Sequence, residues 1–297
     1  MPELISSTHQ LKITARRIGG QDRVKKTCWT WRNRGVTDFP GGGRSDFPFI
    51  TIQAPLRTFS GAARNDGSMA PASSDFHHAA RNTTMGNRIA GIRIPDAPLA
   101  RDAADTVRAC EPELLFRHAM RVFAFASIIG RRRGIVFNAE LLYVAALFHH
   151  FGLTERYRHS RRRFEIDGAN AAHAFLGGYG VAVDDAAEVW RAIALHATFG
   201  IHPYMTPLTA LLGAGVETDL FAHHFDEVCR SERDAIVHAW PRGPCFKDLF
   251  LEALAAGTAH RPATAFGNVS ADVLERCDPD YRRTNFCGLV LGSKWAE

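Results

Sequence analysis

The sequence predicts an all-α domain preceded by a long N-terminal extension. Apolar residues recur every three or four positions from about residue 97 onward, which is the spacing of amphipathic helices. Short β-branched runs, the mark of strands, are scarce in the same region. With 297 residues, of which 46% are hydrophobic and 23% charged, the chain can bury the core of one large domain or of two ordinary ones.

Nine helices are predicted, and each follows from its apolar spacing and its end signals. They cover residues 100–109, 113–129, 140–150, 169–176, 186–196, 205–213, 229–239, 245–257 and 270–276. The third is almost wholly apolar before its two terminal histidines, which predicts a buried central helix. Asp167 is predicted to cap the fourth helix, and Gly177 and Gly178 to end it.

Residues 1–84 differ in composition from the rest of the chain. They contain PGGG at 40–43 and SGAARNDGSMAPASS at 60–74, and they carry 12 Lys or Arg against 6 Asp or Glu. Such a segment buries too little apolar surface to offset the entropy of ordering it, so we expect a disordered extension. A start codon assigned too far upstream explains the same composition, and a basic arm or transit peptide is the functional alternative. Residues 85–297 are predicted to form the folded domain.

Composition excludes several classes of protein. Residues 85–297 carry 24 Lys or Arg against 25 Asp or Glu, so the folded part lacks the basic surface that binds nucleic acid. Neither an 18-residue apolar stretch nor a secretory signal is present, so no membrane partner is expected. The six cysteines form no C-x-x-C pair, which indicates a reduced, cytoplasmic protein. The expected partner is a small-molecule substrate, and a homo-oligomer stays open.

Histidines are the strongest chemical signal. There are fourteen, nine of them between residues 118 and 224. His118 follows an apolar run, His149 and His150 close the helix LLYVAALF, and Asp219 adds a carboxylate in the apolar segment GAGVETDLF. Histidines and a carboxylate from separate helices can hold zinc or a similar first-row ion. We therefore predict one divalent metal, with zinc as the expected ion and no organic cofactor.

The order of these residues resembles the HD superfamily of metal-dependent phosphohydrolases, and most closely its cyanamide-hydratase-like branch. The resembling segments are LLFRHAMRVFAF (114–125), AALFHHFGLT (145–154), RFEIDGANAA (163–172), AIALHAT (192–198) and GAGVETDL (213–220), with FGNV (266–269) and NFCGLVLGS (285–293) in the tail. Together they span roughly residues 92–293. The resemblance therefore covers the predicted domain and omits the extension.

The resemblance implies a ligand set with one departure. His118 and His149 match the family's first two histidine ligands, and Asp219 matches its last aspartate. At position 150 the family has Asp, whereas this chain has His. Because an imidazole cannot bridge two metals as a carboxylate can, we expect a single ion held by His118, His149, His150 and Asp219. Loss of the site is the alternative.

Two further residues are candidates for proton transfer. Glu165 lies in a segment shared with the family and is a candidate general acid or base, although a salt bridge with residues 161–163 explains it equally well. His196 ends a predicted helix and is a candidate to orient the substrate or to transfer a proton, or else a buried histidine satisfied by backbone.

The resemblance also implies an activity. It is the hydration of a small nitrile-like substrate, with cyanamide to urea as the type reaction. Two alternatives stay open. One is phosphoester hydrolysis, common elsewhere in the HD superfamily, for which Arg117 and Arg121 are the cationic candidates in the first motif. The other is a non-catalytic HD-like module whose metal site has decayed at position 150.

Overall fold

The computed structural model describes residues 88–295, so the predicted extension over residues 1–84 lies outside them. The described part contains ten α-helices, which confirms the all-α prediction. They are α1 Pro98–Arg108, α2 Glu113–Arg132, α3 Ala139–Phe148, α4 Phe164–Gly178, α5 Val183–Leu195, α6 Pro207–Phe221, α7 Arg230–Ala239, α8 Phe246–Thr258, α9 Ser270–Cys277 and α10 Phe286–Leu291. Two short strands, β1 Arg88–Ile89 and β2 Ile92–Arg93, pair antiparallel before α1.

Helix α3 is the buried centre of the fold. Every residue from Leu141 to Phe148 is buried, as its unbroken apolar run predicts. The Asn138 side chain accepts hydrogen bonds from the backbone N–H groups of Glu140 and Leu141, which fixes where the helix begins. The helix ends at Phe148 with His149 as its C-cap, so the adjacent histidines follow α3 rather than belong to it.

Helix α6 packs along α2, and a glycine makes the close approach possible. A Cβ at Gly215 would lie 2.5 Å from the backbone oxygen of Val122 on α2, so a larger residue would separate the helices. The helix runs eight residues beyond the predicted end at residue 213. The prediction was short because glycines weaken a helical pattern, whereas here packing against α2 compensates. This extension places Asp219 inside α6.

Helix α4 begins earlier than predicted, at Phe164, so the prediction that Asp167 caps a helix starting at residue 169 was wrong. Asp167 instead lies buried in the first turn of α4. Its carboxylate accepts a hydrogen bond from Arg261 at 2.6 Å and another from Arg162 at 3.0 Å. Arg261 also donates to the carbonyl oxygen of Gly152 at 2.6 Å. This buried ion pair joins the turn after α3, the start of α4 and the segment after α8.

The surface of the described part adds three observations. Its five cysteines are free and exposed. None of its helices combines the length and the apolar character needed to cross a membrane. A shallow groove of about 440 Å³ lies between α4 and α5, lined by Asn170, His173 and Trp190 among others. The groove contains none of the site residues predicted from the sequence.

Candidate metal centre

Three histidines meet in the interior where α2 and α3 come together. His118 lies on α2, His149 caps α3, and His150 opens the 3₁₀ turn Phe151–Leu153. We call these residues the histidine triad. One ring nitrogen from each lies within 4.8 Å of the other two, and all three side chains are buried. The structure thus brings together three of the four residues that the sequence predicts as ligands, in an arrangement that could hold a metal ion.

Hydrogen bonds fix which ring nitrogens face inward. His149 donates from Nδ1 to the carbonyl oxygen of Ala146 at 2.6 Å, and His118 donates from Nδ1 to Asp219 Oδ2 at 2.6 Å. Each neutral ring therefore carries its proton on Nδ1 and presents a lone pair at Nε2. These Nε2 atoms lie only 3.2 Å apart. Two lone pairs at this distance repel each other unless a proton or a metal ion lies between them.

The spacing and protonation of the triad suit a divalent metal. Two imidazole nitrogens on one tetrahedral zinc ion are about 3.4 Å apart, close to the 3.2 Å observed. Burial lowers the pKa of His118 and lowers those of His149 and His150 well below the ordinary value. The rings are therefore neutral near neutral pH, as metal ligands must be. His150 Nδ1 is buried without a hydrogen-bond partner among the described residues, so a donor atom stays available.

His196 stands beside the triad. It caps α5, and its ring centroid lies 4.9 Å from that of His149 and 5.4 Å from that of His150. Its Nδ1 donates to the carbonyl oxygen of Ile193 at 2.6 Å, which leaves Nε2 as the basic nitrogen. Burial lowers the pKa of His196, and the negative charge of Glu165 partly offsets this. The ring is thus a buried neutral base beside the triad.

Asp219 lies behind His118 rather than among the triad's facing nitrogens. Its Oδ1 accepts from Arg121 Nε at 2.7 Å and from Arg242 at 2.9 Å. Its Oδ2 accepts from His118 at 2.6 Å and from Arg121 Nη2 at 2.9 Å. Burial by itself raises the pKa of the Asp219 carboxyl, but the hydrogen bonds and charges of His118 and Arg121 outweigh burial and lower it. The carboxylate is therefore ionised and orients the His118 ring.

Glu165 is buried at the start of α4, near His196. Its Oε1 accepts a hydrogen bond from Arg163 at 2.6 Å, which is the salt bridge considered from the sequence. Its Oε2 is buried and has no hydrogen-bond partner within residues 88–295. A buried carboxylate oxygen without a partner is costly, so Oε2 is a group available to a proton or to a ligand.

Aromatic rings enclose the histidines. The Phe250 ring centroid lies 5.1 Å from that of His118 and 5.5 Å from that of His150. Phe164 contacts His150 at 5.9 Å, and Phe246 contacts His118 at 6.5 Å between centroids. The surroundings of the donor nitrogens are thus apolar, which strengthens any charge interaction made there.

The sequence reasoning missed Phe250 and Arg242 as neighbours of the site. Phe250 is on α8, and Arg242 lies in the loop between α7 and α8, far along the chain from the first histidine motif. Arg242 carries no local signal, because its contact with Asp219 exists only after α6 and this loop come together. The apolar face of α8 could have indicated burial for Phe250, though not the histidines as its neighbours.

Comparison with known proteins agrees with this geometry. A search among curated proteins found no match to the chain. The family model of the HD domain matches residues 115–239, somewhat less than half of the chain. The matched segment contains the histidine triad, His196 and Asp219. An HD-domain match together with a histidine triad able to bind metal supports a metal-dependent HD-domain function. The HD-domain match over residues 115–239 supports assigning the chain to the HD superfamily.

Proposed function

We propose that the chain is a metal-dependent hydratase of a small nitrile-like substrate, in the manner of the cyanamide-hydratase-like branch. The observation that carries the metal dependence is the 3.2 Å separation of the His118 and His149 Nε2 atoms, in rings whose Nδ1 atoms are each engaged in another hydrogen bond. The histidine triad would hold the ion, which we propose to be zinc. A divalent ion there supplies Lewis acidity, which polarises a nitrile and makes water a stronger nucleophile at neutral pH.

Proton transfer is proposed for His196, with Glu165 as the second group. In the overall reaction the water oxygen bonds to the nitrile carbon and both water protons end on the nitrile nitrogen, so no co-reactant is consumed. The Nδ1–H group of His196 donates to the carbonyl oxygen of Ile193, so the lone pair of the ring is on Nε2. It can therefore accept a proton from water and return it to the nitrile nitrogen. The unpartnered Oε2 of Glu165 can hold a proton in the same region.

The surroundings of the triad favour an uncharged substrate over a phosphoester. Phosphate recognition calls for cations that are free to approach the substrate. Arg121 is fully buried and donates to Asp219 and to the Trp240 carbonyl oxygen, whereas Arg117 is half-buried and paired with Glu113 at 2.8 Å. Both cationic candidates of the first motif are therefore engaged elsewhere. The aromatic rings around the histidines suit a small, uncharged molecule instead.

The test is urea release from cyanamide by the zinc-loaded full chain. We expect activity in the unmodified chain and a rate about 10²–10⁴-fold lower in His196→Gln, with the metal content unchanged. His173→Gln is the matched control, because His173 is an exposed histidine on α4 outside the site. Phosphate release from an aryl phosphate is measured in parallel. A metal-loaded chain that releases phosphate and no urea would establish the phosphohydrolase alternative, and one that releases neither would refute the hydratase proposal.

A further inference from the structure

The number of donors around Asp219 bears on the type of metal centre. A carboxylate offers about four lone-pair directions, and the four hydrogen bonds from His118, Arg121 and Arg242 use them all. Arg121 is fully buried, so it cannot exchange Asp219 for water. An ion that took Asp219 as a ligand would displace at least one charge-assisted hydrogen bond in the interior.

The position of Asp219 also argues against its being a ligand of the ion. It bonds His118 at Nδ1, whereas the nitrogen that faces His149 is Nε2, on the other side of the ring. This is the arrangement in which a carboxylate fixes the ring of a metal-binding histidine and increases its basicity without touching the ion. Asp219 therefore has the contacts of a positioning residue.

The nitrogen donors of the triad are all neutral. Position 150 supplies an imidazole, and His196 beside the triad is a buried neutral ring as well. The negative charge of Asp219 is exceeded by the two positive charges of Arg121 and Arg242 beside it. The triad thus contributes no negative charge, the Glu165 carboxylate beside His196 is paired with Arg163, and a net positive charge lies behind His118.

We infer that the metal centre is an all-histidine site, in which Asp219 holds His118 and not the ion, and that it selects Zn²⁺ or Co²⁺ over Mn²⁺ and Mg²⁺. The inference rests on the metal dependence proposed above. Imidazole nitrogens suit zinc, cobalt and nickel, whereas magnesium and manganese are bound through carboxylate oxygens. The histidine at position 150 is thus what sets the metal preference of this chain.

The experiment uses the full chain, stripped with a chelator and titrated with Co²⁺, Zn²⁺ and Mn²⁺. The visible absorption spectrum of bound Co²⁺ reports the number and kind of its ligands. We expect Asp219→Asn to retain the Co²⁺ spectrum with an affinity about 10–100-fold lower, as is typical when a residue behind a ligand is lost. The ratio of Zn²⁺ to Mn²⁺ affinity should stay the same in Asp219→Asn. It should fall by at least about tenfold in His150→Asp, because a carboxylate oxygen suits Mn²⁺.

Three outcomes would overturn the inference. They are a changed Co²⁺ spectrum in Asp219→Asn, a raised Zn²⁺ to Mn²⁺ ratio in that variant, and an unmodified chain that binds Mn²⁺ as tightly as Zn²⁺. The last measurement needs no variant, so the inference can be refuted even if Asp219→Asn does not fold. A chain that binds one Co²⁺ with histidine ligands but releases no urea refutes the hydratase proposal alone. A chain that binds none of these ions refutes the inference and the proposed metal dependence together.

Discussion

Replacement of Gly215 by alanine tests whether α6 must touch α2 as closely as the structure shows. The added Cβ would lie 2.5 Å from the Val122 backbone oxygen and 3.0 Å from the Ala126 Cβ. Ordinary contact begins at 3.4 Å, so the helices must separate by about 0.9 Å, since a backbone oxygen cannot rotate away. Overpacking of this kind costs about 1–3 kcal/mol, and the better helix propensity of alanine returns about 0.5–1 kcal/mol.

The net expectation for Gly215→Ala is a loss of about 1–2 kcal/mol, which lowers the Tm by about 2–8 °C in a domain of this size. Gly177→Ala is the matched control, because the same substitution on α4 meets nothing within 4 Å and should raise the Tm slightly. Because Asp219 is one turn further along α6, Gly215→Ala should also weaken Zn²⁺ binding about 10–100-fold. A Gly215→Ala chain that melts at or above the unmodified chain would refute the reasoning.

Three further predictions concern the rest of the chain. Arg261→Met leaves the Asp167 carboxylate charged and buried with the exposed Arg162 as its remaining ion-pair partner, so the free energy of unfolding in urea should fall by about 3–5 kcal/mol. A fall of less than about 1 kcal/mol would contradict this. Burial lowers the pKa values of the histidine triad and His196 from 6.5, so below that pH the unfolded chain binds more protons than the folded chain. The metal-free protein should therefore lose up to about 1.4 kcal/mol per pH unit for each histidine between about pH 7 and pH 5, whereas a flat Tm profile would exclude such burial. Deletion of residues 1–84 should leave a cooperative thermal melt, because every predicted helix and motif lies beyond them, and a melt without a transition would show that the domain needs the extension.

Local sequence was enough to predict the parts of the fold that depend on local pattern. The apolar run of α3 predicts its burial, and the histidines directly after it must lie at the edge of that buried helix. The spacing around His118 likewise predicts a helix with the histidine on an apolar stretch. Two of the three triad members are adjacent in the sequence, so only one long-range contact was needed to bring the triad together.

The rest depends on contacts between distant segments. The length of α6 follows from its packing on α2 at Gly215, which outweighs the weak helix propensity of glycine. Asp167 resembles a helix cap in its local sequence, yet its partner Arg261 is 94 positions away. The role of Asp219 depends on Arg121 and Arg242, whose guanidinium groups fill its lone pairs only in the folded chain. No period or motif in the sequence encodes such pairings.

The central claim is that the histidine triad is a metal site, and the zinc content of the purified full chain tests it most directly. Elemental analysis after zinc loading and removal of free ion should give one zinc per chain in the unmodified protein and in His173→Ala, whose exposed histidine lies outside the site. His149→Ala should lose most of the bound zinc, because it removes one of the facing Nε2 donors while leaving the N-cap of α3 intact. An unmodified chain without stoichiometric zinc, or a folded His149→Ala chain that retains all of it, would contradict the account.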